Sequence, residues 1–309
     1  MTELIYLDDI THDENTVLTV GTFDGVHEGH KSLISRVVVA AKKSNCRCII
    51  VSFDPHPREV IQGSSYKIRL LTTLEERRQL LSELGVDILL VIPFDREFSL
   101  LTSQEFINDV IHKKIGVKEF IIGYDHQFGR NREGTIETVK KSGVELGFEV
   151  DVVEAHEIAE VTVSSTSVRN ALEKDGNVDI AREFLGRPYR LTGMVTHGDK
   201  RGRTIGYPTA NIHPEHPKKI IPANGVYAVN VCINDKKYRG MMNIGVRPTV
   251  SGEKERRIEV NIFDFDANLY GYSITVEFIK WIREEKKFNS LDELKCQLAV
   301  DKQNCLIQE

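Results

Sequence analysis

One tryptophan, nine prolines and five cysteines are all that the 309 residues contain of those types. The cysteines, Cys46, Cys48, Cys232, Cys296 and Cys305, are odd in number and scattered, which argues against a disulfide framework and for a reducing compartment. Cys46-Arg47-Cys48 is too tightly spaced for a zinc pair. Cations are not in excess: 41 Lys and Arg against 46 Asp and Glu give a formal net charge of −5, so no nucleic-acid partner is expected. No apolar run approaches the roughly 20 residues that span a bilayer. The opening MTELIYLDDITHDENT has neither an arginine-rich start nor an apolar core, so neither a membrane partner nor a targeting leader is expected. The 40% hydrophobic content is too high for a disordered chain, and no low-complexity tract is present. These absences leave a soluble, cytoplasmic protein, long enough for about two domains at roughly 150 residues each.

What is present falls into two rhythms. Apolar, β-branched runs at Val17–Val20, Cys48–Phe53, Ile88–Ile92, Glu119–Ile122 and Phe148–Val153 read as strands. Helical patterns at Lys31–Lys43, Leu74–Leu84, Ser103–Ile115 and Ile136–Leu146 separate them. Alternation of this kind predicts a parallel sheet with helices on both faces. Beyond about Gly176 the helices stop, and Arg190–Thr196, Gly225–Ile233, Lys237–Ile244, Arg257–Phe265 and Ser273–Trp281 read as strands joined by turns. That spacing predicts a small antiparallel barrel or sandwich. Ser290 and Glu293 form a capping-box signal for one closing helix. The boundary is expected within Asp179–Pro188, giving domains 1–183 and 184–309.

The strand ending at Val20 runs into Gly21-Thr22-Phe23-Asp24-Gly25-Val26-His27-Glu28-Gly29-His30, with a helix following. Glycines at a strand-to-helix turn let backbone approach a phosphate, and the free N–H groups of a helix start favour an anion. His27 and His30 can add two imidazole donors there. The same residues also suit an ordinary tight turn, or a metal site of Asp24, His27 and His30. The spacing is neither the dinucleotide fingerprint nor a P-loop. A second segment, Ser164-Ser165-Thr166-Ser167-Val168-Arg169, puts hydroxyls at the start of a helix expected over Val168–Lys174, with Arg169 one turn in. Such a start can hold a polyphosphate, or simply cap the helix.

In the barrel half, Gly193 to Lys200 superficially mimics a Walker A, but Asp199 occupies the Lys position and no Ser or Thr follows Lys200. Gly202-Arg203-Thr204-Ile205-Gly206-Tyr207-Pro208-Thr209-Ala210-Asn211 remains. It offers a Gly/Arg loop able to cover phosphates, then two neutral oxygen ligands, Thr209 and Asn211, suited to nucleotide-borne Mg²⁺. A glycine-rich barrel turn would use the same residues.

Together these motifs carry a family resemblance. Gly-x-Phe-Asp-Gly-x-His-x-Gly-His with Ser-Ser-Thr-x-x-Arg resembles the nucleotidyltransferase superfamily. Phe53-Asp54-Pro55-His56-Pro57 and Gly123-Tyr124-Asp125-His126-Gln127-Phe128-Gly129-Arg130 through Gly134 narrow it to the FMN adenylyltransferase half of bacterial bifunctional FAD synthetases. Gly-Arg-x-x-Gly-Tyr-Pro-Thr-Ala-Asn resembles the riboflavin kinase signature. Asn224–Tyr227, Asn243–Thr249, Glu259 before Ile262–Phe265, Leu269–Gly271 and Arg283-x-Glu285-x-Lys287-Phe288 match the same family in order. The resemblance implies an α/β plus all-β chain: a Rossmann-like nucleotidyltransferase domain followed by a riboflavin kinase-like antiparallel barrel with a C-terminal helix. It implies ATP as co-substrate, Mg²⁺, and riboflavin, FMN and FAD as substrates and products. A homo-oligomer is compatible with it.

By the same resemblance Glu259 would be the kinase base, with Thr209 and Asn211 on the metal. Gly202, Arg203, Gly206 and Asn243 would lie at the nucleotide and flavin, and Arg283, Glu285 and Phe288 at the flavin border. His27, His30 and Arg169 would stabilise adenylyl transfer. Gly21, Phe23, Asp24, Gly25, Ser164, Ser165 and Thr166 would line that site, and Asp125 would sit near the FMN. Two positions depart from the family pattern: Asn261 stands where His is usual, and His126 where Phe is usual. Two other functions stay open: another nucleotidyltransferase fused to a flavin-binding barrel, and a flavin-sensing regulator that keeps the folds.

Overall fold

A computed structural model describes residues 1–63, 68–124, 126–154, 157–158, 161–197, 201–234, 236–248 and 254–307. Contacts divide the chain into two units, Met1–Ser164 and Ser165–Glu309.

The first unit is built on a six-stranded parallel sheet of β1 (Glu3–Tyr6), β2 (Thr16–Val20), β3 (Arg47–Asp54), β4 (Ile88–Pro93), β5 (Glu119–Gly123) and β6 (Glu149–Val153), in the order β1-β4-β3-β2-β5-β6. Its helices are α1 (Glu28–Ser44), α2 (Pro57–Gln62), α3 (Leu74–Glu83), α4 (Ser103–Glu105), which runs on as π-type turns over Phe106–Ile115, and α5 (Ile136–Leu146). Every residue of β2 is buried, because a strand covered on both faces has no polar side. Successive side chains go to opposite faces. Leu18, Val20, Ile49, Val51, Leu90 and Ile92 pack with Phe106, Ile107, Ile111 and Val139. Val17, Ile50, Leu89 and Val91 pack with Ile34, Val37, Ala41 and Leu81. The predicted parallel sheet with helices on both faces is therefore present.

Two short strands, β7 (Glu157–Ile158) and β8 (Val161–Thr162), pair at the end of this unit. The second unit begins with α6 (Ser165–Glu173) and α7 (Val178–Leu185). A closed six-stranded antiparallel barrel follows: β9 (Tyr189–Thr196), β10 (Ala210–Pro214), β11 (Gly225–Ile233), β12 (Lys236–Pro248), β13 (Lys254–Ile262) and β14 (Ser273–Arg283), in the order β10-β13-β12-β11-β14-β9. One turn of helix, α8 (Arg201–Thr204), precedes β10, and α9 (Leu291–Ile307) ends the chain. Ser290 caps α9 through its Oγ, which accepts from Glu293 N at 3.2 Å. The reciprocal Glu293 carboxylate accepts from Asn289 N rather than from Ser290.

Several elements have no counterpart in the sequence pattern, among them α2, β7, β8 and α8, and three more are instructive. β1 is four residues on the sheet edge with a mixed burial pattern. β10 carries Asn211, His213 and Pro214, residue types with weak strand preference. α7 lies where the domain boundary is expected, yet Asn177 caps it through Oδ1 on Ile180 N at 3.0 Å, and Gly186 ends it in the left-handed region.

Candidate active sites

In the first unit, β2 has β3 on one side and β5 on the other. The chain reaches these neighbours in opposite directions, so the carboxyl end of β2 is the switch point where open α/β sheets bind ligands. Gly21 to His30 leave β2 at that end, and Gly123 and Tyr124 leave β5 beside it. Asp125 lies outside the described residues.

The loop is shaped by its own side chains. Phe23 (φ 47°) and Val26 (φ 42°) adopt the left-handed region, with Gly25 between them. Both are buried apolar anchors, whose packing offsets the backbone strain. Asp24 is completely buried and accepts from Leu71 N at 3.0 Å, Thr72 N at 2.8 Å and Thr72 Oγ1 at 3.2 Å. Gly25 N donates to Thr72 Oγ1 at 2.9 Å. Asp24 therefore pins the loop to the segment before α3. A second brace, missed in the sequence, is buried Arg77, which donates to Ser52 Oγ at 2.8 Å while Ser52 Oγ donates to Thr22 O at 3.1 Å.

His27 is the N-cap of α1: Nδ1 accepts from His30 N at 3.3 Å. Acceptance at Nδ1 places the ring proton on Nε2, which becomes the donor. The His27 and His30 rings stack at 3.6 Å, and His30 lies edge-on to Phe23 at 5.1 Å. A Cβ at Gly29 would stand 3.3 Å from His27 Nδ1 and 3.4 Å from Val163 O, so glycine suits the helix's first turn. Among the described residues no cluster of His, Cys, Asp or Glu could hold a metal. That disfavours the metal reading of Asp24, His27 and His30.

His126 extends an aromatic path. Its ring lies 5.8 Å from Phe128 and nearly parallel to it, and the path continues through Phe106, Phe98 and Phe94 to Phe53. An imidazole in place of Phe thus keeps a flat ring at the end of that path. Ser164 closes the first unit, whereas Ser165, Thr166 and Arg169 belong to α6 of the second. The helix begins at Ser165, three residues earlier than the expected Val168, so Ser165 and Thr166 lie in its first turn and Arg169 follows four residues after Ser165.

In the barrel, strand register assembles residues distant in sequence. Glu259 on β13 pairs with Asn211 on β10 and with Asn243 on β12. Directly paired residues share a face, so Asn211, Glu259 and Asn243 form one row. Their neighbours Ile212, Ile258, Val260, Met242 and Ile244 fill the barrel interior, and the row therefore lies on the barrel's outer surface. Thr209, just ahead of β10, donates from Oγ1 to Glu259 Oε2 at 3.3 Å. The loop before it folds tightly: Tyr207 N donates to Gly202 O at 2.9 Å, and a Cβ on Gly202 would strike the Tyr207 carbonyl. Gly206 takes φ 85°. Arg203 lies in α8, while 198–200 and 249–253 are outside the described residues. Gly193 is inside β9 against Ile212 and His213, which removes the Walker A reading.

The same outer surface carries a second apolar core, of Val226, Ala228, Met241, Phe263, Ile279 and Cys305 with Tyr207, Ile282 and Leu298. It seats α9 on the barrel. Burial pushes the Cys305 thiol up to about 12, so it packs as a neutral side chain. Arg283 holds α9 by a forked ion pair to fully buried Asp301, Nη2 to Oδ2 at 2.7 Å and Nε to Oδ1 at 3.0 Å, with its guanidinium 5.7 Å over Phe288. The Glu285 carboxylate lies against Gly245, where a Cβ would strike it. Removing Arg283 leaves a buried carboxylate without its cation. Arg283→Ala is expected to lower the unfolding free energy by about 3 kcal/mol, read by urea denaturation; a loss below about 0.5 kcal/mol would mean the pair behaves as an exposed one.

Two family models cover nearly the whole chain: FAD synthetase over residues 9–167 and riboflavin kinase over residues 185–307. The bifunctional riboflavin kinase/FMN adenylyltransferase of Escherichia coli K12 is 42% identical over 289 residues, 93% of this chain and 91% of that protein. The Bacillus subtilis 168 protein of the same name is 36% identical over 298 residues, 94% of this chain and 92% of that one. A crystal structure described as a macrolide-efflux protein from Streptococcus pneumoniae superposes with a TM-score of 0.91 at 35% identity, covering 99% of both chains. Among the described residues no helix is long and apolar enough to cross a membrane. With both domain models matched in order and relatives aligned over nine-tenths of its length, the chain belongs to the bifunctional riboflavin kinase/FMN adenylyltransferase family.

Proposed function

We propose that this chain makes FAD from riboflavin in two ATP-dependent steps, phosphorylation in the barrel unit and adenylyl transfer in the α/β unit. The observation that carries the first step is the row Asn211–Glu259–Asn243 with Thr209 on its carboxylate. Glu259 accepts the proton of the riboflavin 5′-hydroxyl as that oxygen attacks the γ-phosphorus of ATP; the bond to the β–γ bridging oxygen breaks and ADP leaves. Thr209 and Asn211 supply neutral hard oxygens, a donor set that fits Mg²⁺ carried by nucleotide phosphates. Bound there, the ion neutralises phosphate charge. Arg203 and the Gly202–Gly206 turn cover the phosphates, with Arg283, Glu285 and Phe288 toward the flavin.

In the second step an FMN phosphate oxygen attacks the α-phosphorus of ATP and pyrophosphate leaves. The nucleophile is already anionic, so positioning and charge stabilisation do the catalysis. His27 and His30 donate at the helix start, and the Asp24 clip holds the Gly21–Gly25 turn; Ser164, Ser165, Thr166 and Arg169 are assigned to the polyphosphate by motif position. Asp125 is assigned to the FMN by motif position.

The test is a time course of the purified chain with riboflavin, ATP and Mg²⁺, the flavins being separated by chromatography. FMN is expected first and FAD after it. FMN that accumulates without FAD would refute the adenylyl-transfer assignment, and no conversion of either oxidised or reduced riboflavin would refute both.

A further inference from the structure

The loop that presents Thr209 is held by a side chain at one of the two positions that depart from the family pattern. Asn261 is two residues after Glu259 on β13 and only 6% exposed. Its Nδ2 donates to Pro208 O at 2.6 Å. A carbonyl can only accept, so the amide nitrogen must face it. The surroundings explain why this bond matters. In the β10–β13 ladder Ala210 pairs with Val260 and Asn211 with Glu259. One step further Thr209 would face Asn261, but the paired register stops at Ala210. Pro208 has no N–H to offer a ladder. The Asn261 amide therefore takes over where the backbone ladder ends, from a position on the same outer face as Glu259.

We infer that Asn261 is a positioning residue for phosphoryl transfer: by holding the Pro208 carbonyl it sets Thr209 against Glu259 and fixes where the metal–nucleotide oxygens meet the base. This inference rests on the proposed roles of Thr209 and Glu259. Three contacts then define the segment Tyr207–Thr209: Tyr207 N on Gly202 O, Asn261 on Pro208 O, and Thr209 Oγ1 on Glu259. The Asn261 contact is the one that reaches from β13 to the backbone of the loop. Pro208 is exposed, so its carbonyl can turn to water when the amide is removed. The barrel should survive that change while the geometry of Thr209 does not.

Asn261→Leu keeps the branched shape of the side chain beside Met241, its partner on β12, and deletes the donor. It is expected to lower kcat/KM for Mg-ATP by about tenfold or more, since small misplacements of reacting groups are amplified in rate. The Mg²⁺ concentration for half-maximal rate should rise, while riboflavin affinity, measured by fluorescence quenching, stays within about twofold. In a Thr209→Ala background the same substitution should have little further effect, because coupled residues are non-additive. Asn261→His, whose ring N–H can also donate, should recover most of the rate. A leucine variant with wild-type Mg²⁺ dependence and rate would overturn the inference, as would a full additive loss in the Thr209→Ala background. Asn261→Ser, whose hydroxyl is too short to reach the carbonyl, carries the same expectation if the leucine variant does not fold. Absence of riboflavin phosphorylation by the unmodified chain would instead be a failure of the underlying function.

Discussion

Glu259→Gln is expected to reduce FMN formation from riboflavin by roughly 10²–10⁴-fold, the range of a positioned general base, while adenylyl transfer to supplied FMN continues at its usual rate. Glutamine keeps the length of the side chain and still accepts from Thr209, so the row Asn211–Glu259–Asn243 stays assembled. What it loses is the basic oxygen that takes the hydroxyl proton. The selectivity follows from the assignment of one chemistry to each unit. Chromatography of the flavins with each starting substrate separates the two rates. A kcat for phosphorylation within about threefold of wild type would place the base elsewhere, and loss of both activities in a folded chain would end the two-site assignment.

The mirror-image expectation concerns the paired histidines. His30→Ala should cut FAD formation from FMN by roughly 10²–10³-fold, the scale of one donor removed from a developing charge, and leave phosphorylation of riboflavin intact. Here the fold is not at stake, because the cap of α1 uses the backbone N–H of His30 and the ring of His27. His27 needs a different control, since its ring both caps the helix and offers Nε2. Asparagine is a good N-cap, so His27→Asn should keep the melting temperature and still lose adenylyl transfer. If His27→Asn retained full adenylyl transfer, the histidine would be a cap and nothing more. Pyrophosphate release measures that step directly.

Much of this was legible in the chain. The strands Val17–Val20, Cys48–Phe53 and Ile88–Ile92 and the helix Ile136–Leu146 stand out because their periodicity is local, and the observed elements lie within a residue or two of them. Asn177 and Gly186 are equally local signals for α7, yet the helix they bound lies almost wholly in the stretch read as a boundary. The glycine turns at Gly21–Gly25 and Gly202–Gly206 stand out in the sequence by their residue types alone. At Asp24 the structure adds contacts that residue type alone does not show. The side chain accepts bonds from Leu71 and Thr72, about 47 residues further along the chain. Arg283, placed by motif at the flavin border, also clamps α9 through Asp301, 18 residues away.

By itself, the sequence determined the two architectures, their order and the residue types at each glycine-containing turn, because hydrophobic period, capping and turn preference act over a few residues. Only the tertiary structure decided that Asn211, Glu259 and Asn243, from three separate strands, form one row. It also decided that Asn261 reaches Pro208 across the end of a ladder, and that Arg77 braces Thr22 through Ser52. Register and the pairing of buried polar groups are settled when distant segments close on one another, and a one-residue slip would send each of those side chains to the opposite face.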